Sequence, residues 1–215
     1  MHIDPATLEP ADRYKLLIGG IIPRPIAFVS TISPDGRTNL APFSFFAGVG
    51  SNPMTLLFCP ANKADGTEKD TLRNAKPIAE GGTGQFVVNI ASERYERQVA
   101  AASEALAHDE SEFTLTGLTP APSVVVGPPR VAESPLSFEC ETMQVIRLNP
   151  GAAGGPNVVI GQVVHVVADD DVINDRFHLD PQELAVIGRM GGTMYCRTRE
   201  RFEMPFGKTA LETGR

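Results

Sequence analysis

Tryptophan is absent from the 215 residues, and the three cysteines, Cys59, Cys140 and Cys196, are scattered without a C-x-x-C pair. That spacing supports neither a disulfide framework nor a zinc knuckle, and a reducing, cytoplasmic setting is expected. Basic clusters are lacking too. Nineteen Lys and Arg against 26 Asp and Glu leave a net charge of −7, which repels a phosphate backbone and removes nucleic acid from the expected partners. No apolar run approaches the roughly 18 residues that a membrane helix needs. The opening residues, MHIDPATLEPADRYKLL, lack the basic-then-apolar pattern of a secretory signal. A soluble chain without a membrane partner is expected.

Several catalytic signatures are missing as well. The sequence contains no G-x-G-x-x-G after a strand, no G-x-x-x-x-G-K-[ST], no G-x-S-x-G and no H-E-x-x-H. A nicotinamide nucleotide, if used, therefore has no dinucleotide domain to hold it. The four histidines, His2, His108, His165 and His178, stand far apart in unlike contexts, so no metal centre is expected. Asp169, Asp170 and Asp171 follow a strand-like run and read as a solvated turn.

What the chain does have is 20 Gly and 18 Pro, which argue for many turns and few long helices. Residues 18–22 and 26–33 read as extended apolar segments, with Pro23 and Pro25 preventing a helix between them. Ser33-Pro34-Asp35-Gly36 has the chemistry of a tight turn, so 38–46 is expected to return as a second strand and 54–59 to form a third. TEKDTLRNA at 67–75 is helix-compatible, and QFVVNIA at 85–91 reads as a strand. Ser92 is a natural N-cap for an amphipathic helix carrying Tyr95, Val99, Ala102 and Leu106 on one face. Residues 136–148 alternate apolar and polar and are expected to pair antiparallel with 158–168. Asp180-Pro181-Gln182-Glu183 starts a short helix through 184–187. Six or more strands with two or three helices, in an order that does not alternate, predict a mainly β fold: an antiparallel barrel with flanking helices. One domain over 1–206 with a flexible tail at 207–215 is expected.

The segment 23–59, PRPIAFVSTISPDGRTNLAPFSFFAGVGSNPMTLLFC, mixes an apolar surface with small polar groups. On residue chemistry alone, Phe43, Phe45 and Phe46 fit a core beside an edge strand at Pro42. That packing reading is the one the residues favour on their own; the second is the wall of a site for a flat apolar ring with a polar rim. PRPIAFVST, a turn containing DG, TNLAPFSFF, then KDTLRN and GQFVVNIA, and later GQVVHVVADD and LAVIGRMGGTMY, together resemble the flavin reductase-like family with its FMN-binding split β-barrel. The likeness covers most of residues 14–206.

The resemblance implies an oxidoreductase that binds FMN, with FAD as an alternative, and reduces it with NADH or NADPH. It also implies a homodimer with the flavin at the interface. Asn39, Leu40, Ala41, Pro42, Phe43, Ser44 and Phe45 would meet the ring, Ser44 donating near its reactive nitrogen. Lys69 and Thr71 supply the cation and hydroxyl that a phosphate requires, with Arg24, Ser30, Thr31 and Asn89 as further cofactor contacts. Asp70, between Lys69 and Thr71, would repel a phosphate and is assigned to capping or orientation. Arg189 and Tyr195 would close the pocket from a neighbouring subunit. His165 reads either as a strand residue with its polarity satisfied or as a substrate contact and proton donor. An oxygenase, an electron-transfer flavoprotein or a non-catalytic flavin-binding module on the same fold are the rival readings.

Overall fold

The computed structural model describes residues 1–107 and 110–211. In chain order its elements are α1 (Pro10–Gly20), β1 (Ala27–Ile32), β2 (Thr38–Phe43), β3 (Phe46–Ser51), β4 (Met54–Phe58), α2 (Asp70–Ala75), β5 (Gln85–Ile90), α3 (Glu96–Ala101) and α4 (Glu112–Thr116). There follow β6 (Pro120–Ala121), β7 (Arg130–Val131), β8 (Leu136–Arg147), β9 (Asn157–Ala168), α5 (Pro181–Leu184), β10 (Ile187–Arg189) and β11 (Tyr195–Arg197). No helix among the described residues is long and apolar enough to cross a membrane.

Seven strands form one antiparallel sheet in the order β2-β1-β5-β8-β9-β4-β3. Its two edge strands, β2 and β3, are joined by Ser44 and Phe45 alone. Three residue steps span at most about 11 Å, so the sheet must curl until its edges nearly meet, leaving a seam between β2 and β3. This is the expected antiparallel barrel, split along one line. The long pair β8 and β9 contributes to the curvature through register irregularities at Glu139/Cys140 and Thr142/Gln144.

Strand alternation sorts the apolar residues into two layers. Ala27, Val29, Phe43, Phe58, Phe86, Val88, Cys140 and Val159 fill the inside of the barrel, where the Phe58 ring lies 5.2 Å from both Phe43 and Phe86. Gly161 makes that packing possible, because a Cβ there would fall 2.4 Å from Phe86 Cζ. Ile26, Phe28, Leu40, Tyr95, Val99, Phe113 and Ile187 form a second cluster outside the sheet.

Several local expectations are revised. Residues 10–20 are helical, so the extended reading of 18–22 fails over its first three residues; Pro10 occupies the first helical turn, where its missing N–H costs nothing. The run 38–46 is interrupted at Ser44 and Phe45 and serves two strands at opposite edges of the sheet. Ser92 Oγ accepts from the Arg94 N–H as a cap, but a 3₁₀ turn over Glu93–Tyr95 precedes α3, which ends before Leu106. Asp180 caps α5 as expected, yet Ala185 takes a left-handed conformation and stops the helix short of Ile187, which belongs to β10. Among the described residues the α-helices number five rather than two or three, four of them six residues or shorter. Arg94 holds the side chains of Asp169 and Asp171 at 2.8 and 3.6 Å. Gly207–Leu211 forms a 3₁₀ turn, while the rest of the expected tail and His108 lie outside the described residues.

Candidate active site

Along the outer edge of β2 runs a cleft of about 350 Å³, lined by Asn39, Ala41 and Pro42 on one side and Lys63, Lys69, Asp70 and Thr71 on another. Residues 102–106 and Glu112 complete it. The volume falls within the range of about 300–1,000 Å³ typical of small-molecule sites.

The chemistry of this edge follows from its sequence. β1 and β2 pair with Phe28 opposite Pro42 and Ser30 opposite Leu40. Pro42 has no N–H, and the Leu40 N–H turns away from β1 to Glu112 Oε2 at 2.8 Å. Glu112 is buried, and burial raises its carboxyl pKa against the opposing effect of that hydrogen bond. At this stretch β2 thus presents carbonyls and small apolar atoms to the cleft, with no free amide at 40 or 42.

Opposite stand the residues of the KDT motif. Asn39 Nδ2 donates to Thr71 Oγ1 at 2.9 Å, so the Thr71 proton is left to donate elsewhere. Asp70 is held by Lys63 at 2.9 Å and Arg73 at 3.3 Å, which offsets its charge and fits the orienting role expected of it. The Lys69 ammonium lies 5.8 Å from the centre of the Phe43 ring. Partial withdrawal from water, and then the nearby Lys63 charge, lower its pKa. No carboxylate among the described residues pairs with it. The cleft therefore combines a partly desolvated cation, a donor hydroxyl and an apolar wall, a set suited to an anionic group attached to a flat apolar body.

The remaining sequence candidates are dispersed. Phe43 and Leu40 point into the two cores. Thr31 is buried and accepts from Asn74 Nδ2 at 3.1 Å. Ser30 and Asn89, named as cofactor contacts, have no exposed surface. Asn89 donates to the Phe28 carbonyl and Ser30 Oγ and accepts from the Val131 N–H and Ser137 Oγ, which uses its whole hydrogen-bonding capacity inside the protein. Arg24, a candidate phosphate ligand, is also buried; its guanidinium donates to three backbone carbonyls and to Ser44 Oγ. The Arg24 guanidinium lies 5.9 Å from the Phe45 ring. Arg189 stacks on Tyr195 at 4.4 Å in the β10–β11 hairpin, outside the cleft lining. His165 sits on β9 opposite Glu139 and does not line the cleft. Lys63 and Glu112 were not foreseen, since neither carries a motif and both reach the cleft only through the tertiary fold.

A family model described as flavin reductase like domain matches residues 19–182. The chain belongs to the flavin reductase-like family. Among its relatives is an uncharacterised protein of Halalkalibacterium halodurans, 38% identical over 206 residues and covering 95% of each chain. Nitrilotriacetate monooxygenase component B from Bacillus cereus has a similar structure, with 35% identity, a TM-score of 0.87, and coverage of 95% of this chain and 98% of that one. A Shewanella frigidimarina protein with a split barrel domain shares the fold at 24% identity and a TM-score of 0.80, over 96% and 100% of the two chains. The family is one of split-barrel flavin-binding proteins, and that barrel is the architecture described above.

Proposed function

We propose that the chain holds FMN in this cleft and works as a flavin reductase, FMN when bound taking a hydride from NADH or NADPH and passing its electrons on. Lys69 carries the reading: a cation on the wall of the cleft, 5.8 Å from the Phe43 ring and without a carboxylate partner among the described residues, beside a hydroxyl free to donate. A phosphate supplies the missing negative charge. Thr71 donates to it, Asn39 fixes the Thr71 hydroxyl, and Lys63 occupies Asp70 so that its carboxylate does not compete. Ala41 and Pro42 offer the ring an apolar flank, and Ser44, two residues further along, a polar rim. No side-chain nucleophile is required, because the protein's part is binding, orientation and exclusion of water.

A homodimer is part of the proposal. α1 contains no buried residue, and Tyr14, Leu17 and Ile21 are exposed on or beside it; an isolated helix of that length is marginal in water. Val49 on β3 and Met54 at the start of β4 are exposed, next to an apolar hollow of about 420 Å³ lined by Phe46, Met54, Leu56, Ile90, Phe138 and Val163. A second copy covering these surfaces would remove them from water and shield a ring lying along the seam.

The test is anaerobic mixing of the FMN-loaded protein with NADH and with NADPH. Bleaching of the flavin by one of them faster than without donor is expected, followed by turnover of added free FMN. Bleaching no faster than the donor-free control refutes the reductase reading while leaving FMN binding intact.

A further inference from the structure

Arg24 is 3% exposed, yet no described Asp or Glu pairs with it. Its backbone is fixed by hydrogen bonds in both directions with Arg189, 2.9 Å from the Arg24 N–H and 2.8 Å to its carbonyl. From there the side chain enters the protein. Nη1 donates to the carbonyls of Ile18 and Ile21, Nη2 to the carbonyl of Met190 at 3.0 Å, and Nε to Ser44 Oγ at 3.2 Å. All four acceptors are neutral.

Burying a cation without a counter-charge is costly, normally by several kcal/mol. Hydrogen bonds to carbonyls offset part of that cost and leave the positive field uncancelled. Among the described residues, the one side chain that accepts a hydrogen bond from this guanidinium is Ser44, which stands on the seam between the barrel edges and remains partly open. Because Ser44 Oγ accepts from Arg24, its own proton is directed elsewhere, and the hydroxyl becomes a donor polarised by a buried guanidinium.

We infer that Arg24 is a positioning residue that holds Ser44 as a donor toward the redox edge of the bound flavin and biases the site toward the reduced, more electron-rich form. The inference rests on the flavin reading above and deepens it. Reduction adds electron density to the ring, and a nearby uncompensated cation and a donor hydroxyl both stabilise that density more than they stabilise the oxidised ring. Arg24 thereby has a role different from the phosphate contact that its place in the PRP motif suggested, at the other end of the cofactor.

The test is the reduction potential of bound FMN, measured against reference dyes in wild type, Arg24→Met and Arg24→Lys, with the affinity for oxidised FMN recorded separately. Arg24→Met is expected to lose at least tenfold of the preference for reduced over oxidised flavin, which for a two-electron couple is a shift of about 30 mV to more negative potential. Arg24→Lys, which keeps the charge, should retain most of the wild-type potential. A purely structural clamp would weaken both redox forms equally, so Arg24→Met holding FMN at the wild-type potential overturns the inference alone. Wild-type protein that fails to hold FMN overturns the flavin reading and this inference together. Should Arg24→Met not fold, Ser44→Ala decides, since it leaves the bonds to all three carbonyls in place: a more negative potential supports the inference and an unchanged one overturns it.

Discussion

Replacing Lys69 by Met separates a phosphate anchor from an ordinary surface lysine. Lys69 has no carboxylate partner among the described residues, and its ammonium is already partly desolvated, so its removal should not lower the stability of the ligand-free protein. Toward FMN the variant loses a hydrogen bond between charged groups, worth about 1.5–3 kcal/mol. Lys63 stays in place and retains part of the local positive field, which puts the loss nearer the lower end, about 1.5–2 kcal/mol. At 1.4 kcal/mol per tenfold, FMN should bind about 10- to 30-fold more weakly. Riboflavin has the same ring without the phosphate, and its affinity should change by less than about twofold. Flavin fluorescence titrations of both ligands against both proteins complete the cycle. Equal loss for FMN and riboflavin refutes the phosphate assignment, and a lower melting temperature would show that Lys69 supports the fold instead.

Because binding favours charged Lys69, FMN affinity should be full at neutral pH and decline as pH rises through the lysine's depressed pKa, beginning below its ordinary value of 10.5; titrations across the alkaline range check this. Glu112 has a raised pKa, so its ionisation costs stability above that value and nothing below the ordinary 4.5. Glu112→Gln should accordingly be more stable than wild type at neutral pH, with the difference vanishing as pH falls, and should bind FMN more tightly through lost repulsion. Gly161→Ala places a methyl group against Phe86 and is expected to cost about 1–3 kcal/mol, read from denaturant unfolding. Glu139→Ala removes the acceptor of the Val124, Val125 and Val126 N–H groups and should cost about 2–4 kcal/mol, with hydrogen-exchange protection lost first at those amides.

The strands were legible because alternation and turn chemistry are local. β1, β5, β8 and β9 fall close to where the apolar pattern and the flanking Gly and Pro place them. α1 was not legible: its apolar residues have no cover within the chain, so no burial pattern separates it from an extended run. Of the candidate site, Lys69 and Thr71 could be named from the KDT motif, since a cation and a hydroxyl are what a phosphate site needs, whereas Asn39, expected against the ring, bonds to Thr71. The failures are long-range. Ser30 and Asn89 look like exposed polar residues in strands, and only a network joining positions 28, 30, 89, 131 and 137 reveals them as interior. Arg24 meets acceptors at 18, 21, 44 and 190, and no local pattern announces such a convergence. Glu112 reaches the cleft because Leu40 has an edge amide to satisfy, a demand that exists only once the sheet has formed.

Whether the cleft beside β2 holds FMN is read from the visible absorption spectrum. The purified protein is incubated with excess FMN, desalted and scanned. Stoichiometric flavin absorbance is expected to stay with the protein, and Lys69→Met is expected to retain less of it. Colourless wild-type protein after desalting, with all the flavin in the small-molecule fraction, would contradict that expectation.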